Sequence, residues 1–483
     1  MVIDALKYQI LQQFGFVPTE EQGQALDAFA RFLTDRDPHA VMILRGSAGT
    51  GKTSLSGAIV RTLKAIRQKV MLLAPTGRAA KVFSLNSGCP AYTIHRRIYR
   101  EKSFAGVDGQ FNLNDNLFTD TLFMVDEASM ISNLGLGGGN FGSGCLLDDL
   151  VRFVYQGHND RLMLIGDKAQ LPPVGEEESP ALNRMMLEEY GLKVYECDLN
   201  EVLRQSQESG ILYNATVIRQ MITHDDITQL PLIRFKGFAD IVMMPGNELV
   251  ESLANSYYRV GQDETMVITR SNKRANIYNN GIRNMVLDRE DELSCGDMLM
   301  IVKNNYFWTE KERNEAKEAL NAIPPFLANG DRAKVLRVSR HMELYGFRFA
   351  TLLLQFPDYD NYEMSVTALL DTLQSEAPAL THEQQEQLFH GVEEDYQDVP
   401  LKADRMKAIR GDQYFNALQV KYAYAITCHK AQGGQWEHVY VDQGYMTDDM
   451  LTPDYIHWLY TAFTRAKDKL FLVNWPKTQT EQA

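Results

Sequence analysis

The amino-acid sequence predicts an α/β fold built on parallel sheets, in two successive sets of strands and helices. Three observations carry this. The apolar run Ala40-Val41-Met42-Ile43-Leu44 reads as a buried strand, and a glycine-rich stretch joins it to Leu55 to Ile66, whose apolar residues recur at helical spacing. Short apolar runs at Lys69 to Ala74, Thr121 to Val125, Arg161 to Ile165 and Val194 to Cys197 follow, the signature of strands covered on both faces. A second series begins beyond a helix at Ile211 to Ile222, with strands expected at Met266 to Thr269, Met298 to Val302, Tyr422 to Ile426, His438 to Val441 and Leu470 to Val473.

The first strand delivers Gly46-Ser47-Ala48-Gly49-Thr50-Gly51-Lys52-Thr53-Ser54 into a helix. Strand, glycine-rich loop and helix form the context of a phosphate-binding loop. Glycines let the backbone turn its N–H groups inward as an anion nest, and the helix N-terminus adds its positive end. Lys52 would reach the β- and γ-phosphates, and Thr53 would offer its hydroxyl to Mg²⁺. The bland alternative, a glycine-rich turn in a nucleotide-free fold, leaves the placement between strand and helix unexplained.

Asp126-Glu127 ends the strand at Thr121 to Val125. Asp126 would hold Mg²⁺ through its water shell, while Glu127 would orient and deprotonate an attacking water. Gln170, just past the strand at Arg161 to Ile165, is either a plain loop glutamine or a neutral sensor of the γ-phosphate. Gln22 also reads two ways: as the closing residue of a capping box begun by Thr19, or as a reader of the adenine edge.

At 483 residues the chain is long enough for about three or four units. No apolar run reaches membrane length, and the N-terminus lacks a basic-then-apolar signal pattern. Five scattered cysteines without metal-ligand spacing fit free thiols in a reducing cytoplasm, the expected location. The formal charge of −14 argues against a protein that coats a duplex. A protein that grips a few nucleotides in a local positive groove remains open.

Residues 1–39 read as helical. Lys102 to Leu113 reads as a small hairpin turned at Asp108-Gly109. Leu134 to Gly144, dense in glycine, reads as a loop. The period changes to alternation at Ala333 to Val338 and Phe347 to Phe356, which predicts a small β-unit. An acidic, glutamine-rich stretch at Ser375 to Asp398 interrupts it as a surface helix or excursion.

These blocks, taken in order, resemble the superfamily 1 helicases and among them the RecD/Dda-like group. The resemblance runs through Gln22, Gly46 to Thr53, Ala74-Pro75-Thr76-Gly77-Arg78-Ala79-Ala80-Lys81, Asp126 to Ser129, Gly166 to Gly175 and Val202-Leu203-Arg204-Gln205. It continues in Thr427-Cys428-His429-Lys430-Ala431-Gln432-Gly433 and Leu459-Tyr460-Thr461-Ala462-Phe463-Thr464-Arg465-Ala466.

The resemblance implies two RecA-like parallel-sheet motor domains: 1–95 with 122–225, and 226–330 with 420–483. A pin hairpin at 96–121 would be inserted in the first, and an SH3-like β-unit at 331–419 in the second. It implies ATP and Mg²⁺ in the cleft, with Gly433 on the nucleotide and Arg204 and Arg465 as arginine fingers. Contacts to single-stranded DNA would come from Pro75, Thr76, Arg78, Thr93, His95, Thr427, His429 and Lys430, with Phe104 and Phe111 on the pin at a fork or tailed duplex. The implied activity is a DNA helicase moving 5′ to 3′, in DNA repair or recombination, and working as a monomer away from membranes. Movement 3′ to 5′ as in UvrD-like members, an RNA substrate, and a nucleotide-binding switch that does no work are the competing readings. The chain departs from RecD-like sequences at Gly434-Gln435-Trp436, where they usually carry Ser-Glu-Phe.

Overall fold

The first sheet grows around β1 (Ala40–Gly46), buried along its whole length. In chain order follow β2 (Lys69–Ala74), β3 (Ala91–Thr93), the antiparallel pair β4 (Tyr99–Phe104) and β5 (Gly109–Leu113), then β6 (Thr121–Val125), β7 (Arg161–Gly166) and β8 (Lys193–Leu199). Apart from the hairpin pair, these strands form one six-stranded sheet, β3-β2-β6-β7-β1-β8, parallel throughout. The structure is a computed structural model and describes residues 2–104, 109–135, 142–201, 208–224, 227–315, 323–324 and 326–481. The hairpin turn and most of the glycine-dense loop expected at Leu134 to Gly144 lie outside those residues.

The order places β1 between β7 and β8, with β6 beyond β7. Three carboxyl ends, those of β6, β7 and β1, therefore lie side by side, where open parallel sheets bind their ligands. Helices cover both faces. Helices Val2–Phe14, Glu20–Thr34 and Lys52–Ala65 pack one apolar cluster on one side, and helix Leu146–Gln156 anchors a second on the other.

The remaining strands are β9 (Ile241–Met244), β10 (Thr265–Thr269), β11 (Met298–Ile301), β12 (Arg332–Leu344), β13 (Phe347–Phe356), β14 (Tyr362–Leu369), β15 (Leu418–Tyr422), β16 (Ala425–Thr427), β17 (Trp436–Asp442) and β18 (Ala466–Val473). Five of them make a second parallel sheet, β16-β10-β17-β18-β9. The other five close a barrel, β11-β12-β13-β14-β15. Two RecA-like sheets with a small barrel inserted in the second is the fold class expected from the sequence.

The strand assignment differs in detail. Met298 to Val302 is expected in the second parallel sheet, but β11 pairs with β12 and β15 inside the barrel. Of the strand expected at Tyr422 to Ile426, Tyr422 ends β15 in the barrel, while Ala425 and Ile426 lie in the sheet as β16. A short run buried on both faces has the same composition in either setting, so its pairing partner is invisible in the pattern. Strands β3 and β9 carry too few residues to stand out. The acidic stretch forms helix His382–Asp395, capped by Thr381; it buries Leu388 and Val392 against Phe347, Phe349 and Ile409 at the barrel's edge.

One buried ion cluster ties barrel to sheet. Asp297, fully buried, accepts from Nε and Nη2 of Arg283, Nη1 of Arg289, the hydroxyl of Tyr424 and the N–H of Ser294, at 2.7–3.0 Å. Asp297→Ala would strand two buried guanidinium groups, and about 3–5 kcal/mol of stability should be lost. Urea unfolding checks this; a loss below about 1 kcal/mol would mean that solvent rescues the arginines.

Candidate functional site

The loop after β1 turns through left-handed backbone at Gly49 (φ 79°) and Gly51 (φ 76°) before helix Lys52–Ala65 begins. Only glycine adopts these angles without strain. The loop is braced from three directions. The Thr50 hydroxyl donates to the Ser47 carbonyl at 2.8 Å, and Nζ of Lys52 folds back to the Gly46 carbonyl at 3.1 Å. Gln22, 1% exposed, donates from Nε2 to the Thr50 carbonyl at 2.9 Å. Its Oε1 meanwhile accepts from Thr19 N–H, completing the capping box. The geometry joins cap and phosphate loop through one amide.

A cavity of about 400 Å³ opens at this loop. Ser47, Ala48, Gly49, Gly51, Lys52, Thr53, Asp126, Glu127 and Gln170 line it from the first sheet's side. Gly433, Gln435 and Arg465 line it from the other. The opposed groups stand at the amino ends of β17 and β18, so the second sheet presents its strand starts to the first sheet's strand ends. Gly433 takes a left-handed φ of 73° and packs so closely that a Cβ there would lie 3.0 Å from the Cβ of Ala79. Arg465 is buried and donates to the carbonyls of Thr461 and Gly434 and to the Thr464 hydroxyl. Arg204 lies outside the described residues. Ser54 is exposed on the helix's first turn, and neither it, Gly46, Thr50 nor Gln22 lines the cavity.

The cavity's acidic wall is electrostatically tuned. Burial, and next the Glu127 carboxylate, push Asp126 up to about 6 against the opposing pull of Lys52. Burial likewise raises Asp167, while Lys52 and the Tyr460 hydroxyl pull it down. Glu127 sits in left-handed backbone (φ 52°), a strained geometry for a side chain, and its Oε2 is buried without a hydrogen-bond partner. Oε1 of Gln170 is likewise buried and unpartnered. Asp126 and Thr53, which line the same cavity, offer hard oxygens suited to Mg²⁺, which keeps waters and takes one or two carboxylates. Among the described residues no group of three or more His, Cys, Asp or Glu forms an all-protein metal cage.

A second cavity, about 490 Å³, lies on the other side of the same interface. Pro75, Thr76, Arg78, Thr93 and His95 line it from the first sheet, His429 and Lys430 from the second, and Asn329 and Arg332 from the barrel. A third of similar size adjoins it through His429 and Lys430 and includes Thr427. Among the described residues no aspartate or glutamate lines either one. Thr76 and Thr93 cap helices Gly77–Ser87 and Ile94–Ile98, which aims both toward the cavity mouth. Burial lowers His95 to about 4 and Lys430 to about 8. Phe104 and Phe111 fall on β4 and β5, and their side chains lie outside the described residues.

Several contacts here escaped sequence reasoning. Arg219, on helix Gly210–Thr223, donates to the Ser47 hydroxyl at the phosphate loop. The Arg78 guanidinium stacks on Trp436 at 4.6 Å and donates to the Gln435 carbonyl. Arg332, 4% exposed, approaches the same ring at 5.8 Å. Trp436 stands where the chain departs from RecD-like sequences, and that departure was the available signal. Nothing in the sequence around Arg219 marks it.

Comparison with known proteins adds two domain families. Residues 19–226 match the family described as AAA domain, and residues 422–473 match the UvrD-like helicase C-terminal domain. The chain is 31% identical over 157 residues to the ATP-dependent RecD2 DNA helicase of Deinococcus radiodurans, covering 32% of this chain and 18% of that protein. It is 33% identical over 171 residues to the uncharacterized protein MJ1519 of Methanocaldococcus jannaschii, 33% of this chain and 14% of the relative. The chain thus spans less than a fifth of the length of either relative. The uncharacterized protein R530 of Acanthamoeba polyphaga mimivirus is 22% identical over 90% of this chain and 96% of its own. Among solved structures, the Pif1 helicase from Bacteroides in complex with ADP-AlF3 and ssDNA has 14% identity and a TM-score of 0.48, covering 97% of this chain and 95% of that one. Among the described residues no helix is long and apolar enough to cross a membrane. The two matched domains fall on the residues that carry the motif blocks and support the resemblance to superfamily 1 helicases of the RecD-like group.

Proposed function

We propose that this chain is an ATP-driven motor on single-stranded DNA that moves 5′ to 3′ and unwinds duplex ahead of it, acting as a monomer. The observation that carries the reading is the distribution of charge. The chain holds 63 acidic residues against 49 Lys and Arg, yet two adjoining cavities between its sheets and barrel have arginine and lysine linings and, among the described residues, no carboxylate. A groove free of carboxylates in an acidic protein is suited to a phosphate backbone and disfavours non-specific binding elsewhere.

In this reading the loop amides and Lys52 hold the ATP phosphates, and Asp126 with Thr53 holds Mg²⁺, which supplies charge neutralisation at the β- and γ-oxygens. Glu127 takes the proton of the attacking water at its unpartnered Oε2. Gln170 offers an uncharged amide to the γ-phosphate. Arg465 gives up neutral carbonyl partners for the developing charge, a better acceptor. Arg204 would join it. Gln22 holds the loop's shape through Thr50 rather than by reaching the cavity. Thr76, Thr93, Thr427, His429 and Lys430 contact the strand, and the β4–β5 hairpin meets the duplex fork.

The reading is tested with 5′- and 3′-tailed duplexes of DNA and RNA, scored for ATP hydrolysis and unwinding. Unwinding of 5′-tailed DNA is expected. Unwinding only from 3′ tails would overturn the polarity, and preference for RNA would overturn the substrate. Glu127→Gln should bind ATP and hydrolyse it at least about 100-fold more slowly. Replacing Ala105 to Gln110 by a Gly-Ser link should spare strand-stimulated ATPase and abolish unwinding; equal losses in both would make the hairpin a structural support.

Lys430 adds a pH signature. Burial brings its ammonium to about 8, with Lys421 also lowering it. Raising the pH through that value removes the charge that faces the strand. Single-strand affinity at fixed salt should therefore fall about five- to tenfold from about pH 7 to about pH 9. Lys430→Arg should flatten the curve, since a guanidinium stays charged. A flat wild-type profile would remove Lys430 from the phosphate contacts.

A further inference from the structure

Tyr460, 1% exposed, lies on helix Pro453–Phe463 of the second sheet and reaches across the cleft. Its hydroxyl donates to Oδ2 of Asp167 at 2.6 Å and accepts from the backbone N–H of Ala48 at 3.0 Å. Ala48 belongs to the phosphate loop, so a phenol oxygen from the second sheet holds one of the N–H groups that an anion nest presents to phosphate.

The same helix face makes two more contacts with the segment after β7. Nδ1 of His457 meets the Ala169 carbonyl at 2.9 Å, and the Thr461 hydroxyl accepts from Leu171 N–H at 2.8 Å. Positions 457, 460 and 461 share one side of a helix, so the three bonds form a single seam. The carbonyl of Thr461 in turn accepts from Nε of Arg465 at 3.0 Å. A change at Tyr460 therefore lies one residue from a group that orients Arg465.

We propose that Tyr460 is a positioning residue that competes with nucleotide phosphate for the Ala48 N–H and thereby reports phosphate occupancy to Arg465. The proposal rests on the reading of the loop as an ATP site. A phosphate oxygen is a charged acceptor and out-competes a neutral phenol for one N–H. The hydroxyl proton keeps its acceptor on Asp167, so release from Ala48 leaves no buried donor unpaired. The seam then holds to the first sheet through Asp167, Ala169, Gln170 and Leu171 but no longer through Ala48, which changes the restraint on Thr461 and on Arg465 behind it. A purely structural tyrosine would pin the halves together without opposing nucleotide.

The test separates these by affinity and rate. Tyr460→Phe keeps the ring and removes the competitor. Binding of a non-hydrolysable ATP analogue with Mg²⁺, measured by calorimetry without nucleic acid, should tighten by about fivefold, the equivalent of one neutral hydrogen bond. Strand-stimulated kcat at saturating ATP should fall about tenfold or more. Unchanged or weaker analogue binding would overturn the proposal, as would an unchanged kcat. Tyr460→Met, similar in volume and without a hydroxyl, carries the same expectations should the phenylalanine variant not fold. Lys52→Ala, run alongside, isolates the underlying reading. If wild type and Lys52→Ala bind the analogue equally, the ATP site itself is wrong; if Lys52→Ala alone loses it while Tyr460→Phe weakens it, only the role of Tyr460 falls.

Discussion

The two sheets meet at the backbone of Leu171. Its N–H donates to the Thr461 hydroxyl at 2.8 Å, and its carbonyl accepts from Nε2 of Gln432 at 2.7 Å. Both partners belong to the second sheet's segments, and both bonds are buried. Upstream of Leu171, Asp167 and Gln170 line the first cavity; downstream, Pro172, Pro173 and Val174 line the second. A buried amide that loses its partners costs about 1–3 kcal/mol, so the halves cannot slide past this segment without exchanging those bonds. The segment after β7 is thus the piece of backbone that touches both cavities and is held by the opposite domain.

Charge is partitioned along the same interface. The nucleotide-side cavity gathers Asp126, Glu127 and Asp167 around Lys52, whereas the other two cavities gather Arg78, Arg332, Lys421 and Lys430. Buried cations are unfavourable by themselves; Asp358 lies 3.7 Å from Nη1 of Arg78, whereas among the described residues Nε and Nη1 of Arg332 have no hydrogen-bond partner. Stacking on Trp436 offsets part of this cost for Arg78 and Arg332. In the proposed reading the strand's phosphates supply the rest. The barrel takes part as well: Lys81 donates to the Pro357 carbonyl and faces Asp358, so the first sheet rests on the β13–β14 connection.

Much of this was visible in the residues because the chemistry is local. The phosphate loop declares itself between strand and helix, and Asp126-Glu127 ends an apolar run; both come from contiguous sequence. Of the two readings of Gln22, cap and adenine reader, the capping box is formed, and its hold on Thr50 follows once the loop lies beside it. What escaped depends on long-range placement. Met298 to Ile301 is as apolar as a sheet-core strand, and only its partner, Leu418–Tyr422, assigns it to the barrel. Tyr460 lies in a quoted block, but its target Ala48 is a backbone N–H with no side-chain pattern to flag it. Arg219 is one charge on a helix surface until the fold sets Ser47 beside it.

In the proposed reading one interface serves two ligands, so each must alter the affinity of the other. The direct measurement is the dissociation constant of a fluorescent single-stranded oligonucleotide with and without a saturating non-hydrolysable ATP analogue, followed by the reverse experiment. Strand affinity should change by about fivefold or more, and analogue affinity by the same factor when strand is bound. Two affinities that ignore each other would show that the cavities are independent and contradict a shared interface.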